Sequence, residues 1–263
     1  MIKLFATDLD GTLLKDNIYI EKKDHDALRF LANNETEIAF ATGRTDHEII
    51  QFFQEIGISG HRISQNGAFV VDKNNQSISK HQFTNNISQA LYEEIKNSPT
   101  YYFVSTENEI FYQQDIPTID QLQPIFHNRL VHNPRLMDQI KNNLAVAKFM
   151  LLGETDQLIK IQSRIDTQVG GKVNSFLSTP LCLDIGPVGV NKSTGLNHLL
   201  EKLAIEANEI AVIGDSYNDI DMLKMTPHSY AMEIADPEVK AAAQHVVSHV
   251  YQAIDDLHSK KLL

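Results

Sequence analysis

One cysteine, Cys182, stands in 263 residues. No internal disulfide can form, and nothing points to an oxidising compartment. Basic residues are in the minority: 23 Lys and Arg against 34 Asp and Glu give a formal net charge of −11. Nucleic acid and anionic membrane surfaces repel such a chain, which argues against general binding to either. An anionic substrate would need a metal ion or a local basic group to offset that field. Long hydrophobic runs are absent as well. The longest mostly apolar stretch, Leu144 to Gly153, carries Lys148 and falls well short of the roughly 18 residues that span a bilayer. No secretory signal is expected, because Asp8 and Asp10 fall where its apolar region would lie. Four Asn-x-Ser/Thr triplets begin at Asn34, Asn75, Asn86 and Asn191; without an export signal they read as chance. The expected location is the cytoplasm. What is present is core material: 42% hydrophobic and 22% charged residues describe a folded chain, and the length allows one to two domains.

Strand and helix patterns alternate at both ends of the chain. Ile2 to Thr7 is a short apolar run ending in a polar, Gly-containing loop, the mark of a buried parallel strand before its crossover. A helix over Glu21 to Ala32, a strand over Glu37 to Ala41 and a helix over Asp46 to Ile56 follow, the last closed by Gly57. The rhythm returns with a helix over Asn191 to Leu203, a strand over Glu209 to Ile213 and a helix over Asn218 to Lys224. Ser229 to Met232 and His245 to Val247 predict short strands flanking a helix after Pro237. Such alternation means a parallel sheet covered by helices. The middle third reads differently: a helix over Ile87 to Lys96, a hairpin of Tyr101 to Val104 with Glu109 to Tyr112, and a strand over Ala145 to Leu152. A helix over Thr155 to Ile165 and a hairpin of Val173 to Ser178 with Leu181 to Ile185 complete it. The expected fold is α/β, a Rossmann-like parallel core over residues 1–81 and 187–263, interrupted by an inserted α+β domain over residues 82–186.

Four sites carry chemistry. Asp8-Leu9-Asp10-Gly11-Thr12 follows the first predicted strand, at the edge where open α/β sheets bind ligands. Carboxylates two apart on an extended segment point to opposite faces, but a turn at Gly11 lets both converge, one as nucleophile or metal ligand and the other as acid/base. The same residue types also compose ordinary turns. Thr42-Gly43-Arg44 ends the second strand, and its hydroxyl and amide groups suit phosphate oxygens, although a helix cap explains them equally. Lys192 begins a helix, where it opposes the macrodipole; a solvated lysine is the plain alternative. Gly214-Asp215-Ser216-Tyr217-Asn218-Asp219 follows another strand, and its two carboxylates suit Mg²⁺. The helix dipole accounts for Asp219 but not for Asp215.

Together these segments resemble the haloacid dehalogenase superfamily: Asp8 to Thr12 its first motif, Thr42 its second, Lys192 its third and Gly214 to Asp219 its fourth. The long insertion between Thr42 and Lys192 is similar to the α/β cap of the Cof-like phosphatases, as are Asn66-Gly67-Ala68, Leu183 to Pro187 and Asp219 to Met222. Two segments depart. Met232-Glu233-Ile234-Ala235 stands where that subgroup usually has Met-Gly-Asn-Ala, and Tyr251-Gln252-Ala253-Ile254 where Asp-Gly-Val is common.

The resemblance implies an Mg²⁺-dependent phosphatase of small phosphorylated metabolites. Asp8 would attack phosphorus, and Asp10 would protonate the leaving group and then activate water. Thr42, Gly43, Lys192 and Asn218 would serve the phosphate, and Asp8, Asp10 (through its carbonyl), Asp215 and Asp219 the metal. A phosphomutase would share these motifs but need a second basic site, for which the insertion offers only Arg129, Arg135, Lys160, Arg164 and Lys172. A phospholigand-binding protein without catalysis is the alternative from another class. Neither the metabolite nor the oligomeric state is legible. His245 and His249 are not expected to bind metal, Cys182 reads as a buried small residue, and Tyr101-Tyr102-Phe103 as sheet packing.

Overall fold

The computed structural model describes residues 1–122 and 130–263, so Arg129 lies outside the described residues. The chain divides into two compact units, residues 1–80 with 191–263, and residues 81–190. The first unit opens on strand β1 (Leu4–Thr7), buried throughout. Its side chains alternate with the strand's period of two: Phe5 joins one apolar cluster, Leu4 and Ala6 another. A small hairpin follows, β2 (Leu14–Lys15) and β3 (Tyr19–Ile20), with Asp16 and Asn17 in the left-handed region. No apolar run marks it in the sequence. Next come α1 (Lys22–Asn33), β4 (Glu37–Ala41) and α2 (Asp46–Ile56). Glu48 caps α2 by accepting the Thr45 backbone N–H at 2.8 Å, and Gly57 ends it. Three strands then close this segment: β5 (His61–Ser64), β6 (Phe69–Val71) and β7 (Ser77–Lys80).

The inserted unit contains α3 (Asn85–Ile95), β8 (Tyr101–Ser105), β9 (Ile110–Tyr112), α4 (Ile119–Leu122) and β10 (Leu130–His132). It continues with α5 (Leu136–Lys141), β11 (Lys148–Leu152), α6 (Thr155–Val169), β12 (Val173–Thr179) and β13 (Cys182–Pro187). Its sheet runs β10-β9-β8-β11-β13-β12, and both sequence-predicted hairpins are present, β8 with β9 and β12 with β13. Helices α3, α5 and α6 cover one face: Leu91, Ile140 and Ile161 pack with Tyr102, Phe149 and Leu183. Tyr102 and Phe103 are buried in the sheet as expected, whereas Tyr101, at the start of β8, is 36% exposed. Lys148 and Asp184, both buried, face each other at 3.7 Å.

The chain returns through α7 (Lys192–Leu203), β14 (Ile210–Gly214), α8 (Ile220–Leu223), β15 (Ser229–Met232), α9 (Pro237–Ala242), β16 (His245–Val247) and α10 (Val250–Ser259). The sheet order is β16-β15-β14-β1-β4-β5-β6-β7. Strands β16 to β5 in that order are parallel, while β6 and β7 extend the sheet antiparallel. The alternation rule did not foresee those two, because they follow β5 by short turns without a crossover helix. Helices α1, α2 and α10 pack one face through Leu28, Phe52 and Ile254, and α7, α8 and α9 the other through Leu196, Met222 and Val239. The chain leaves β1 for β4 on one side and comes back to β14 on the other. That reversal leaves a crevice at the carboxyl ends of these strands. Among the described residues no helix is long and apolar enough to cross a membrane.

Candidate active site

Asp8 follows β1, Thr42 follows β4 and Asp215 follows β14, so the crevice collects all three at one edge. Lys192, first residue of α7, completes the group. Its ammonium lies 2.7 Å from Asp8 Oδ1 and 2.7 Å from Asp219 Oδ1, and its side chain is 1% exposed. A lysine there works against the macrodipole; Asn191 offsets this by accepting the Thr194 backbone N–H at 2.9 Å. The segment 65–67 braces the same turn. Gln65 and Asn66 hold left-handed backbones, the Asn66 N–H donates to the Thr42 carbonyl at 2.8 Å, and a Cβ on Gly67 would sit 2.1 Å from the Asn191 carbonyl oxygen.

The fourth motif is built on hydrogen bonds. Asp219 is fully buried. Its Oδ1 accepts from Lys192, and its Oδ2 accepts from the backbone N–H groups of Asp215 and Ser216, each at 3.0 Å. Both oxygens are therefore committed to holding Lys192 and the Asp215 loop. Asp215 accepts from the Thr12 hydroxyl at 2.7 Å and from the Ser216 hydroxyl at 3.0 Å. It packs where Gly11 has no side chain: at φ 77°, a Cβ on Gly11 would lie 2.4 Å from Asp215 Oδ2. Asn218 is directed to Asn66, donating to its Oδ1 at 3.0 Å, rather than to Lys192. The buried Asn218 Oδ1 has no hydrogen-bond partner among the described residues.

Oxygens of Asp8, Asp215 and Asp219 come within 4.8 Å of one another, with Lys192 the cation set among them. Burial raises the Asp8 carboxyl well above its usual range against the pull of Lys192, and Asp219, Asp215 and Asp10 push it further up. Asp215 is raised by burial and then by Asp219, against the Thr12 hydrogen bond. For Lys192, burial works to release the proton, but Asp219 and Asp8 outweigh it and hold the ammonium. The cluster carries more negative charge than one lysine balances.

The Asp10 side chain lies outside this group and meets Arg44, whose Nε donates to Asp10 Oδ2 at 2.8 Å. Gly43 packs 3.4 Å from Asn66 Oδ1, measured from where its Cβ would be. Sequence reasoning took Arg44 only as a base beside Thr42, and gave no role to Thr12, Asn17 or Asn66. Each is local in a loop but finds its partner through the fold, 203 residues away for Thr12. Elsewhere, burial pushes the Cys182 thiol up to about 12, which makes it unreactive. Glu21, Asp24 and His249 form a second close group. Glu21 and His249 stand at the N-cap positions of α1 and α10, where the dipoles disfavour a cation, and Asp24 accepts the Tyr251 N–H at 2.7 Å.

Known proteins are similar to this chain over nearly its whole length. An HMP-PP phosphatase of Escherichia coli is 25% identical over 252 residues, 95% of this chain and 91% of that protein. Its counterpart in Citrobacter koseri is 26% identical over 253 residues, again 95% and 91%. Among solved structures, a haloacid dehalogenase-like hydrolase from Bacteroides thetaiotaomicron superposes with a TM-score of 0.88 at 25% identity, covering 98% of this chain and 100% of that one. A Thermotoga maritima protein gives 0.86 at 25% identity, with 97% of each chain covered. The sequence profile of the haloacid dehalogenase-like hydrolases matches residues 5–253, from β1 into α10 and so through every loop that builds the site: the chain belongs to that family.

Proposed function

We propose that this hydrolase is an Mg²⁺-dependent phosphatase of small phosphate monoesters, sugar phosphates or similar metabolites, working through an aspartyl-phosphate on Asp8. The observation that carries the reading is the buried pairing of Asp8 with Lys192 beside Asp215 and Asp219. The relatives named HMP-PP phosphatases add support for a phosphorylated substrate. The metal fits the donor set: the group offers only oxygen ligands and a surplus of negative charge, which suits a hard dication. Asp8, Asp215 and the Asp10 carbonyl would hold it, with Asp219 behind them. Bound there, Mg²⁺ would neutralise charge on the transferred phosphoryl group.

The chain's own groups do the rest. The Asp8 carboxylate oxygen bonds to phosphorus as the ester P–O bond breaks, and Asp10 gives its proton to the departing alkoxide. Asp10 then takes a proton from water, which attacks phosphorus; the acyl-phosphate P–O bond breaks, phosphate leaves and Asp8 is restored. Lys192 favours the ionised form of Asp8 against the effect of burial, and its ammonium would face the phosphoryl oxygens. Thr42 Oγ1 accepts the Arg44 N–H at 3.2 Å, which leaves its own O–H to donate to phosphate, next to the Gly43 amide. The Asn66–Asn218 bond steadies the phosphate loop, and Asn218 Oδ1 is an acceptor available to a protonated ligand oxygen or water. We assign the choice among phosphate esters to the inserted α+β unit. A phosphomutase reading has less support, since Arg164 is paired with Glu94 and Arg135, Lys160 and Lys172 stand on separate elements.

A panel of small phosphates, assayed with Mg²⁺ and with EDTA, tests the reading. Turnover is expected on several esters, lost in EDTA and restored by Mg²⁺. Asp215→Ala should raise the Mg²⁺ requirement at least about tenfold. Undiminished turnover in EDTA would remove the metal from the scheme. Mg²⁺ should also raise the Tm of the wild-type protein, an effect that Asp215→Ala diminishes.

A further inference from the structure

Asp10 is partly exposed, its side chain 38% accessible, whereas Asp8 and Asp219 are buried. An aspartate so placed moves among rotamers unless something holds it. Arg44 does. Its guanidinium meets Asp10 as a fork, Nε on Oδ2 at 2.8 Å and Nη2 on Oδ1 at 2.5 Å. Nη2 also donates to the Asn17 carbonyl at 2.8 Å, and the Asn17 side chain accepts the Gly11 N–H at 2.9 Å. The loop of Asp10 and Gly11 is thus tied to Arg44 twice, once directly and once through the hairpin tip.

Arg44 is itself fixed. Its side chain is 9% exposed, its guanidinium carbon lies 5.3 Å from the Phe52 ring centre, and Nη1 stands 3.6 Å from Glu48 Oε1. Its carbonyl accepts the Gln65 N–H at 2.8 Å. A guanidinium this buried is costly unless paired, so the contact is not one of the exposed ion pairs that contribute little. The two nitrogens of the fork, Nε and Nη2, are engaged by Asp10 and Asn17, while Nη1 has Glu48 as its nearest counter-charge and no hydrogen-bond partner among the described residues.

We propose that Arg44 is a positioning residue that orients Asp10 as acid/base, a role that rests on the phosphatase reading above. Arg44→Lys keeps the charge and loses the fork. For an alkyl phosphate, kcat is expected to fall on the order of 10²-fold with little change in KM. For an aryl phosphate with a good leaving group, the first step, read by single turnover, should fall far less, because it needs little proton donation. In an Asp10→Asn background, Arg44→Lys should have no further effect on that step. Added guanidinium should restore part of the activity of Arg44→Ala.

A raised KM with unchanged kcat would overturn the proposal in favour of phosphate binding. So would effects that multiply in the double variant, or equal slowing of all leaving groups, which would make Arg44 a structural residue. The cycle is run below the lowest Tm of the four proteins, so a loss of stability does not mimic a loss of orientation. The parent reading fails differently. A wild-type protein inert on every phosphate removes both proposals, and turnover surviving Asp8→Asn removes the aspartyl-phosphate while the Arg44 cycle still reports on Asp10.

Discussion

Asp8→Asn is expected to abolish phosphate release, by at least about 10⁴-fold, while the chain stays folded. The amide keeps the shape of the carboxylate and removes the oxygen charge that attacks phosphorus. Stability should move the other way from activity. Burial raises the Asp8 carboxyl above its usual 3.8 despite Lys192, so the folded state takes up its proton more readily than the unfolded chain. The stability this group contributes is complete below the usual value and is lost as pH rises through the raised one. At neutral pH, without metal, Asp8→Asn should therefore have a Tm equal to or above that of the wild type, and a flatter dependence on acid pH. Mg²⁺ should reverse the order by stabilising the wild type more. Phosphate release by Asp8→Asn at a substantial share of the wild-type rate would sink the nucleophile assignment, and a Tm well below wild type would contradict the charge balance.

Lys192→Met is expected to do the greatest damage to the fold. The substitution preserves length and apolar bulk but leaves Asp8 and Asp219, both buried, without their cation. Breaking such a group costs about 3–5 kcal/mol, which corresponds to a Tm lower by roughly 6–20 °C. Mg²⁺ should recover part of the loss by replacing some of the missing charge, whereas phosphate turnover should remain at background because the metal does not restore the phosphoryl contact. Thermal melts with and without Mg²⁺, beside a phosphate-release assay, check both halves. A Tm within about 2 °C of wild type would mean that the ammonium is not the counter-charge that holds these carboxylates in the fold.

The sequence determined the parallel frame and the places where chemistry sits. Leu4 to Thr7, Glu37 to Ala41 and Ile210 to Ile213 are apolar runs too short for helices, each ending in a loop with Asp, Thr or Gly, and they form the central strands β1, β4 and β14. The helical spacing of Leu28 and Leu31, or the closure of α2 by Gly57, is likewise local information. It is read directly because hydrogen-bond periodicity and backbone freedom act over a few residues. What the sequence left open depended on distance. The hairpin β2–β3 and the antiparallel strands β6 and β7 carry little local signal and are fixed by pairing with neighbours. Asp219 read equally well as a helix-dipole acid, until the fold placed both its oxygens on Lys192 and the Asp215 loop. Arg44 reads in the sequence only as a base after Thr42 and Gly43, and only the turn after β1 brings Asp10 within its reach, 34 positions away. Residue type and strand ends announce that a charged site exists. Which carboxylate meets which cation is decided by the packing of β1 between β4 and β14, because Coulomb attraction and burial act on spatial neighbours that the chain order does not reveal.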